Sequence, residues 1–328
     1  VAVRVELYTL GGTISMAGSR GAGVVARLGA AELIAAVPGL AELGADLATH
    51  DAEAVPGGDL TFRRIAELVA AAGEAVRDGA AGVVVTQGTD TLEETAYLAD
   101  LLWPHDAPLV FTGAMRNPTL AGPDGPANLL AAVRVAAADA ARGLGVLAVL
   151  DDEIHAARWV RKTHATATGA FRSPDAGPLG QVIEGEVRVL TRPPRLPALT
   201  VDPAAFEAVR VALHTVAVED DGAQLDGLAE RYQGLVVAGY GVGHVPGALA
   251  APLGTLAGQI PVVLTSRTGG GSVLRHTYGA VGSETDLARR GLLAGGLLSP
   301  YRARVLLRVL LAAGADRSAI AAALAARR

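Results

Sequence analysis

The chain has 328 residues, 51% of them apolar and 19% charged, with a net charge of -5, which is enough for two domains and a substantial core. The mildly acidic balance and the absence of a basic run argue against nucleic acid or an anionic membrane as the partner. With no cysteine, and with seven scattered histidines that form no His-x-x-x-His pair, neither a metal nor any other cofactor is expected.

From the amino end, "VRVELYT" reads as a strand with no basic or apolar leader region, so the expected location is the cytoplasm unless a leader was removed. Next come the helix "FRRIAELVAAAGEAVRD", the strand "AGVVVTQ", the helix "LEETAYLADLLW", the strand "APLVFTG", the helix "PANLLAAVRVAAADAA" and the strand "VLAVLDD". This alternation predicts an α/β fold with a mostly parallel sheet, helices on both faces, and ligand sites at the carboxyl ends of the strands. A proline-rich stretch around "LTRPPRLPALTVDP" is the best linker, placing a larger N-terminal domain at 1–190, the linker at 191–208 and a smaller α/β domain at 209–328. In that second part "VRVALHTV", "GLVVAG" and "PVVLTS" read as strands, "GLAERY" and "PGALAAPLGTLAG" as helices, and the C-terminus as helical. The uncharged run 234–266 is broken by a glycine loop, Pro252 and Pro261, so it reads as strand, loop, helix and strand. A membrane span would need about 20 uninterrupted apolar residues.

Three strands of the first part end in polar, glycine-rich turns: "TLGGTIS" at 9–15, "TQGTDTLEET" at 86–95 and "TGAMRN" at 112–117. Such turns let a backbone approach a ligand and offer free N–H groups to an oxyanion or carboxylate. Threonine and aspartate in these places also cap helices, and Thr91 followed by Glu94 has the spacing of a capping box. One further residue stands apart. Lys162, in "RWVRKTHATAT", is the only lysine, every other basic residue of the Lys/Arg class being arginine. A lone lysine can be a chance survivor of drift toward arginine, but an ammonium can give up a proton where a guanidinium does not.

Taken together, the turns resemble the bacterial-type L-asparaginases, including the glutaminase-asparaginases. Gly11-Gly12-Thr13 matches the turn bearing that family's threonine nucleophile, Thr89 and Asp90 its second threonine and aspartate, and Gly113 to Arg116 a turn bordering its site. Lys162 matches the lysine of its Thr-Lys-Asp triad, and "DGPANLLAAV", "GPLG" and "YRARVLL" also look like the family. The resemblance implies two-step hydrolysis of the amide of L-asparagine, and more weakly of L-glutamine, through an acyl-enzyme ester. Thr13 is the expected nucleophile with Thr89 as runner-up, and Lys162, held by Asp90, would activate Thr89 or a water through it. The turn at Gly88 and the region of Ala114 would hold the oxyanion and leaving amide, and Asp90 would accept from the substrate α-ammonium. A small amino-acid amide is thus the implied partner, in a homo-oligomer built as a dimer of dimers in which Glu284 would reach a neighbour's site; a first-turn acid favoured by the helix dipole is an equal reading of Glu284.

The sequence departs from the family in four places. Leu10 and Gln87 replace a usual threonine and histidine, neither of which needs to touch the chemistry. No tyrosine follows the nucleophile in "SMAGSRGAGVVARLG", leaving Ser15, Tyr240 and Tyr278 as substitutes. Pro56-Gly57-Gly58-Asp59 stands where the family grips the substrate's α-groups with a serine and a glutamine; Asp59 remains and is also expected to cap the next helix. These losses leave open a relative that hydrolyses another amide or binds without efficient turnover. A nucleotide-binding module at "LVVAGYGVGHVPGAL" is the reading from another class, and its glycine spacing fails, with His244 at the third glycine position.

Overall fold

Runs of valine and leucine, whose branched side chains pack well on a pleated surface, form the interior strands. The computed structural model describes residues 2–327 except Thr13, Ser15, 20–22, 27–29, Ala36 and 52–54. The chain divides into two compact units, Val1–Ala198 and Leu199–Arg328.

In unit 1 the elements run β1 (Arg4–Thr9), β2 (Met16–Ser19), β3 (Gly23–Ala26), α1 (Ala30–Ala35), β4 (Asp46–Asp51), α2 (Phe62–Arg77), β5 (Gly82–Thr86) and α3 (Leu92–Leu102). They continue with β6 (Leu109–Thr112), α4 (Gly125–Ala137), β7 (Val146–Leu150), β8 (Glu153–Ala156), β9 (Arg161–Lys162), β10 (Phe171–Arg172), β11 (Gly180–Ile183) and β12 (Glu186–Val189). Eight of the strands make one sheet in the order β12-β11-β8-β7-β6-β5-β1-β4. Pairing is parallel from β4 through β7 and antiparallel from β7 to β12. Side chains alternate between the two faces of the sheet. Val5, Leu7, Val84, Val110, Leu147 and Val149 pack with Leu129, Ala132 and Val133 of α4 in one buried core, and α2 and α3 lie against β5, β6 and β7.

The chain starts at β1, moves outward to β4, then crosses back to β5 on the other side of β1. The direction of winding therefore reverses between β1 and β5, which opens a crevice at their carboxyl ends. Thr9 and Thr86 are register partners there, and Leu10 N–H donates to Thr86 O at 2.9 Å. Both strands lead directly into the glycine turns singled out from the sequence.

Four local expectations need correcting. "VLAVLDD" is a strand only to Leu150, because Asp151 and Asp152 have φ of 55° and 58° and form the two-residue turn into β8. Two left-handed residues in a row suit a tight hairpin, and aspartate tolerates that conformation better than most residues. The helix starting near Pro126 ends at Ala137 and is followed by a short turn of 3-10 helix at Asp139–Ala141. Asp59 does not cap α2; Thr61 does, its side chain accepting from Arg64 N–H at 3.2 Å. Thr91 makes no side-chain cap on α3, because its hydroxyl is engaged elsewhere.

Unit 2 contains β13 (Val211–Thr215), α5 (Leu228–Arg231), β14 (Gly234–Gly239), α6 (Gly247–Ala257), β15 (Val262–Ser266), α7 (Glu284–Arg289), β16 (Leu293–Ala294), α8 (Pro300–Ala312) and α9 (Arg317–Ala325). Its four strands form a parallel sheet in sequence order. Leu235, Val237, Val262 and Leu264 pack with Leu249, Leu253 and Leu256 of α6, and α8 lies against β13, β14 and β15. The uncharged run 234–266 is thus β14, a loop, α6 and β15. Among the described residues no helix is long and apolar enough to cross a membrane.

Candidate active site

Three turns of unit 1 converge because each presents a glycine at the contact. Gly12 has φ of 95°, and a Cβ on it would lie 2.3 Å from Gly88 N. A Cβ on Gly88 would stand 3.6 Å from the Cα of Gly12 and 3.8 Å from the Cα of Gly57. Only glycine permits the first approach, so the chain immediately before Thr13 is pressed against the turn bearing Thr89. Thr13 and Ser15 themselves lie outside the described residues. Gly113 closes the other side, where an added Cβ would be 2.5 Å from Gln87 O and 3.1 Å from Thr89 Cγ2.

Lys162 reaches this crevice from the short hairpin of β9 and β10. Its Nζ donates to Asp90 Oδ1 at 2.6 Å and to Thr89 Oγ1 at 3.0 Å. Thr89 is 5% exposed, the Lys162 side chain 15% and the Asp90 side chain 87%. The ammonium is thus held at the border between core and solvent, with the threonine on its inner side. Among the described residues, the backbone N–H groups of Gly88 and Thr89 have no protein acceptor. Free N–H groups in a turn that leads into a helix are suited to a developing oxyanion.

The turn of Gly57, Gly58 and Asp59 is a single turn of 3-10 helix beside the first two turns. Thr91 hydroxyl donates to Gly57 O at 3.0 Å and accepts from Gln87 Nε2 at 3.1 Å, and Gln87 Oε1 accepts from Thr95 hydroxyl at 2.7 Å. Gln87 is fully buried, so these bonds satisfy a side chain that would otherwise be costly to bury. Asp59 is exposed, and a Cβ on Gly58 would meet nothing within 4 Å.

Ala114 is buried in the third turn, which is braced from α4. Asp124 accepts from Met115 N–H at 3.0 Å and Arg116 N–H at 2.8 Å, and Asn128 Nδ2 donates to Gly113 O at 2.9 Å. Asn128 Oδ1 also takes Asp151 N–H at 2.9 Å, tying the turn to the β7–β8 hairpin. A second brace supports the lysine hairpin. His155 Nε2 lies 3.1 Å from Glu153 Oε2 and Nδ1 lies 3.0 Å from Ser173 Oγ, directly after β10. The carboxylate can only accept, so Nε2 carries the proton and Nδ1 accepts from the serine. Burial pulls the His155 pKa below its ordinary value despite Glu153.

Glu284 lies in unit 2, 2% exposed at the start of α7. Its Oε1 accepts from Thr277 N–H at 2.9 Å and Tyr278 N–H at 2.8 Å, and Oε2 faces His244 Nε2 at 3.1 Å. Burial pushes its pKa up, but the backbone N–H groups of Tyr278 and Thr277, with His244, outweigh burial and leave it below its ordinary value. Within its unit Glu284 therefore braces the loop before α7. Tyr240 hydroxyl donates to Ala217 O, and Tyr278 stacks edge-on against His244 at 4.9 Å. The glycine loop after β14 folds back on itself through the Tyr240–His244 bridge, three residues ahead of α6. No group of three or more His, Cys, Asp or Glu among the described residues could hold a metal ion.

Residues 4–195 match the family described as asparaginase, N-terminal, and residues 210–324 match the glutaminase/asparaginase C-terminal domain. The chain belongs to the asparaginase family. It is therefore an amidohydrolase of that family, and its relatives agree along most of their length. A probable L-asparaginase of Deinococcus radiodurans is 37% identical over 87% of this chain and 87% of its own. An L-asparaginase of Bacillus licheniformis is 32% identical over 94% of this chain and 95% of its own. Among solved structures, a probable cytoplasmic L-asparaginase from Campylobacter jejuni has a TM-score of 0.87 at 30% identity, covering 98% of this chain and 99% of that one.

Sequence reasoning missed the supporting residues around this crevice: Gln87, Glu93, Asp124, Asn128 and His155. Each acts on a partner turn rather than on the crevice. Only the short apolar spacing around Asn128 in "PANLLAAV" hinted that a polar side chain would be buried.

Proposed function

We propose that this chain hydrolyses L-asparagine to L-aspartate and ammonia by threonine nucleophilic catalysis, with weaker action on L-glutamine. The observation that carries this reading is the single lysine, donating to both Thr89 and Asp90 at the winding reversal of the sheet. Thr13 oxygen attacks the side-chain amide carbon, and its proton passes to the amide nitrogen. The tetrahedral oxyanion collapses, the C–N bond breaks and ammonia leaves. A water, deprotonated through Thr89 and Lys162, then adds to the ester, and the C–O bond to Thr13 breaks to release aspartate. The N–H groups of Gly88 and Thr89, which have no acceptor among the described residues, support the placement of the oxyanion in this turn, and Ala114 borders the leaving amide.

The α-carboxylate falls to Gly57 and Gly58 and the α-ammonium to Asp90 and Asp59. Loss of a serine hydroxyl at Gly57, beside open space at Gly58, favours as a second reading an enzyme whose preferred amide is not free asparagine. By the same resemblance, the protein is a cytoplasmic dimer of dimers in which residues 1–190 carry the chemistry, 191–208 connect, and Glu284 in 209–328 serves a neighbouring site. Its remaining acceptor capacity on Oε2 is what a ligand could use. The mechanism is tested by quenching turnover in acid and mapping the ester by mass spectrometry. An aspartyl ester on Thr13 is expected; one on Thr89 would exchange the roles of the two threonines, and full activity without either hydroxyl would reject the mechanism.

A further inference from the structure

A buried carboxylate behind the crevice has no place in the mechanism above. Glu93 sits in the first turn of α3 and is 7% exposed, and its Oε2 accepts the backbone N–H of Lys162 at 2.6 Å across 69 positions of sequence. A glutamate in a first helical turn is favoured by the dipole, and an exposed one needs no other explanation. This one is buried and spends an oxygen on a specific amide far along the chain.

That amide lies in an element with little hold of its own. The two strands of the lysine hairpin contribute two residues each, with Lys162 opposite Phe171. The hairpin is fastened by Thr163, whose N–H and hydroxyl both donate to Ala170 O at 2.7 and 2.9 Å, by the Arg172–Glu153 ion pair at 3.2 Å, and by the His155–Ser173 contact beyond its far end. None of these reaches toward α3. The bond from Glu93 does, and it is charge-assisted, which makes it one of the stronger kinds available.

We infer that Glu93 is a positioning residue that fixes the backbone of Lys162 so that its ammonium meets Thr89 and Asp90. One five-residue segment then grips the lysine at both ends: Thr89 and Asp90 hold Nζ at 3.0 and 2.6 Å, and Glu93 holds the peptide N–H at 2.6 Å. Because both grips come from residues 89–93, the distance between them is set by that segment and not by the hairpin. The long lysine side chain loses rotamer freedom when ordered, and anchoring its backbone lowers the part of that cost that falls on the reactive end. This inference rests on the role of Lys162 proposed above.

The test compares Glu93→Ala, Glu93→Gln and Lys162→Ala with the parent protein, and combines Glu93→Ala with Lys162→Ala, using ammonia release from L-asparagine. Misplacement of a reacting group by about 1 Å can cost up to roughly 100-fold, so Glu93→Ala should lower kcat by about 10- to 100-fold while KM stays within about threefold. Glu93→Gln retains an oxygen for the Lys162 amide and should keep kcat within about fivefold of the parent. In the Lys162→Ala background the loss from Glu93→Ala should vanish, because the group being positioned is gone. Full kcat in Glu93→Ala, an equal loss in both Glu93 variants, or an additive loss in the double variant would each overturn the inference. If instead Lys162→Ala itself retains full turnover, the proposed role of the lysine fails, and that result is distinct from a failure of Glu93 alone.

Discussion

Replacing Lys162 by arginine keeps the charge and removes the group that can shuttle a proton. The structure permits this separation because the ion pair with Asp90 is at the surface on one side: the carboxylate is 87% exposed while the ammonium is 15% exposed. A half-exposed pair contributes little to stability, so Lys162→Arg should leave the thermal midpoint within a few degrees of the parent. Arginine reaches Asp90 as readily as lysine, and so the α-ammonium and carboxylate contacts of the substrate are preserved. What changes is the donor 3.0 Å from Thr89 Oγ1, which becomes a guanidinium that stays protonated at any working pH. A positioned acid/base group is worth about 10²- to 10⁴-fold, equivalent to about 2.7 to 5.4 kcal/mol of barrier. Steady-state ammonia release from L-asparagine should therefore show that fall in kcat with KM within about threefold. A kcat within about threefold of the parent would mean Lys162 acts only as a charge, and the account of the lone lysine would be wrong.

Other outcomes follow from the neighbouring contacts. Gly57→Ser adds a hydroxyl toward the α-carboxylate, a bond worth about 1.5 kcal/mol at the low end, while its Cβ must settle 3.0 Å from Thr91 Oγ1. KM for L-asparagine should fall about tenfold with kcat within about threefold, and an unchanged KM would show that the backbone of Gly57 and Gly58 suffices. His155 titrates below the ordinary 6.5 because it is buried, so the unfolded chain takes up its proton first. Its contribution is complete above about pH 6.5 and is lost as pH falls from there through the lowered folded value, by up to about 1.4 kcal/mol per pH unit. Urea unfolding of His155→Gln should show a flatter dependence between about pH 7.5 and about pH 5.5 than the parent, and identical slopes would refute the assignment. Glu284→Gln should destabilise unit 2 by about 1 to 3 kcal/mol at neutral pH. Because the folded Glu284 pKa is lowered, that difference is present above the ordinary value of 4.5 and should narrow as pH falls through the lowered one. A constant difference at all pH values would contradict it.

The parts legible in the sequence were those whose cause is local. "GVVVT" and "LVFT" announce buried parallel strands by their unbroken apolar runs, and the glycine turns after β1, β5 and β6 by composition. β4 was not visible, because "DLATHD" has two carboxylates and a histidine, and it is a strand only through its pairing with β1 at the sheet edge. The antiparallel extension from β8 to β12 is made of four-residue strands with mixed burial, too short for a period to show. Thr91 illustrates a different failure. Its spacing to Glu94 satisfies the capping pattern, yet the hydroxyl gives its proton to Gly57 O, 34 residues away, and its oxygen accepts from Gln87 Nε2 instead of from a helix N–H. Glu93 and Asn128 escaped for the same reason: what they hold is remote in sequence, and nothing beside them says so.

Ammonia release from the unmodified protein, supplied in turn with L-asparagine, D-asparagine, L-glutamine and an asparaginyl peptide, tests the proposed reaction most directly. The highest kcat/KM is expected with L-asparagine, a lower value with L-glutamine, and one aspartate formed for each ammonia released from L-asparagine. Absence of ammonia from L-asparagine, or a peptide or D-asparagine turned over ahead of it, would contradict the proposed reaction.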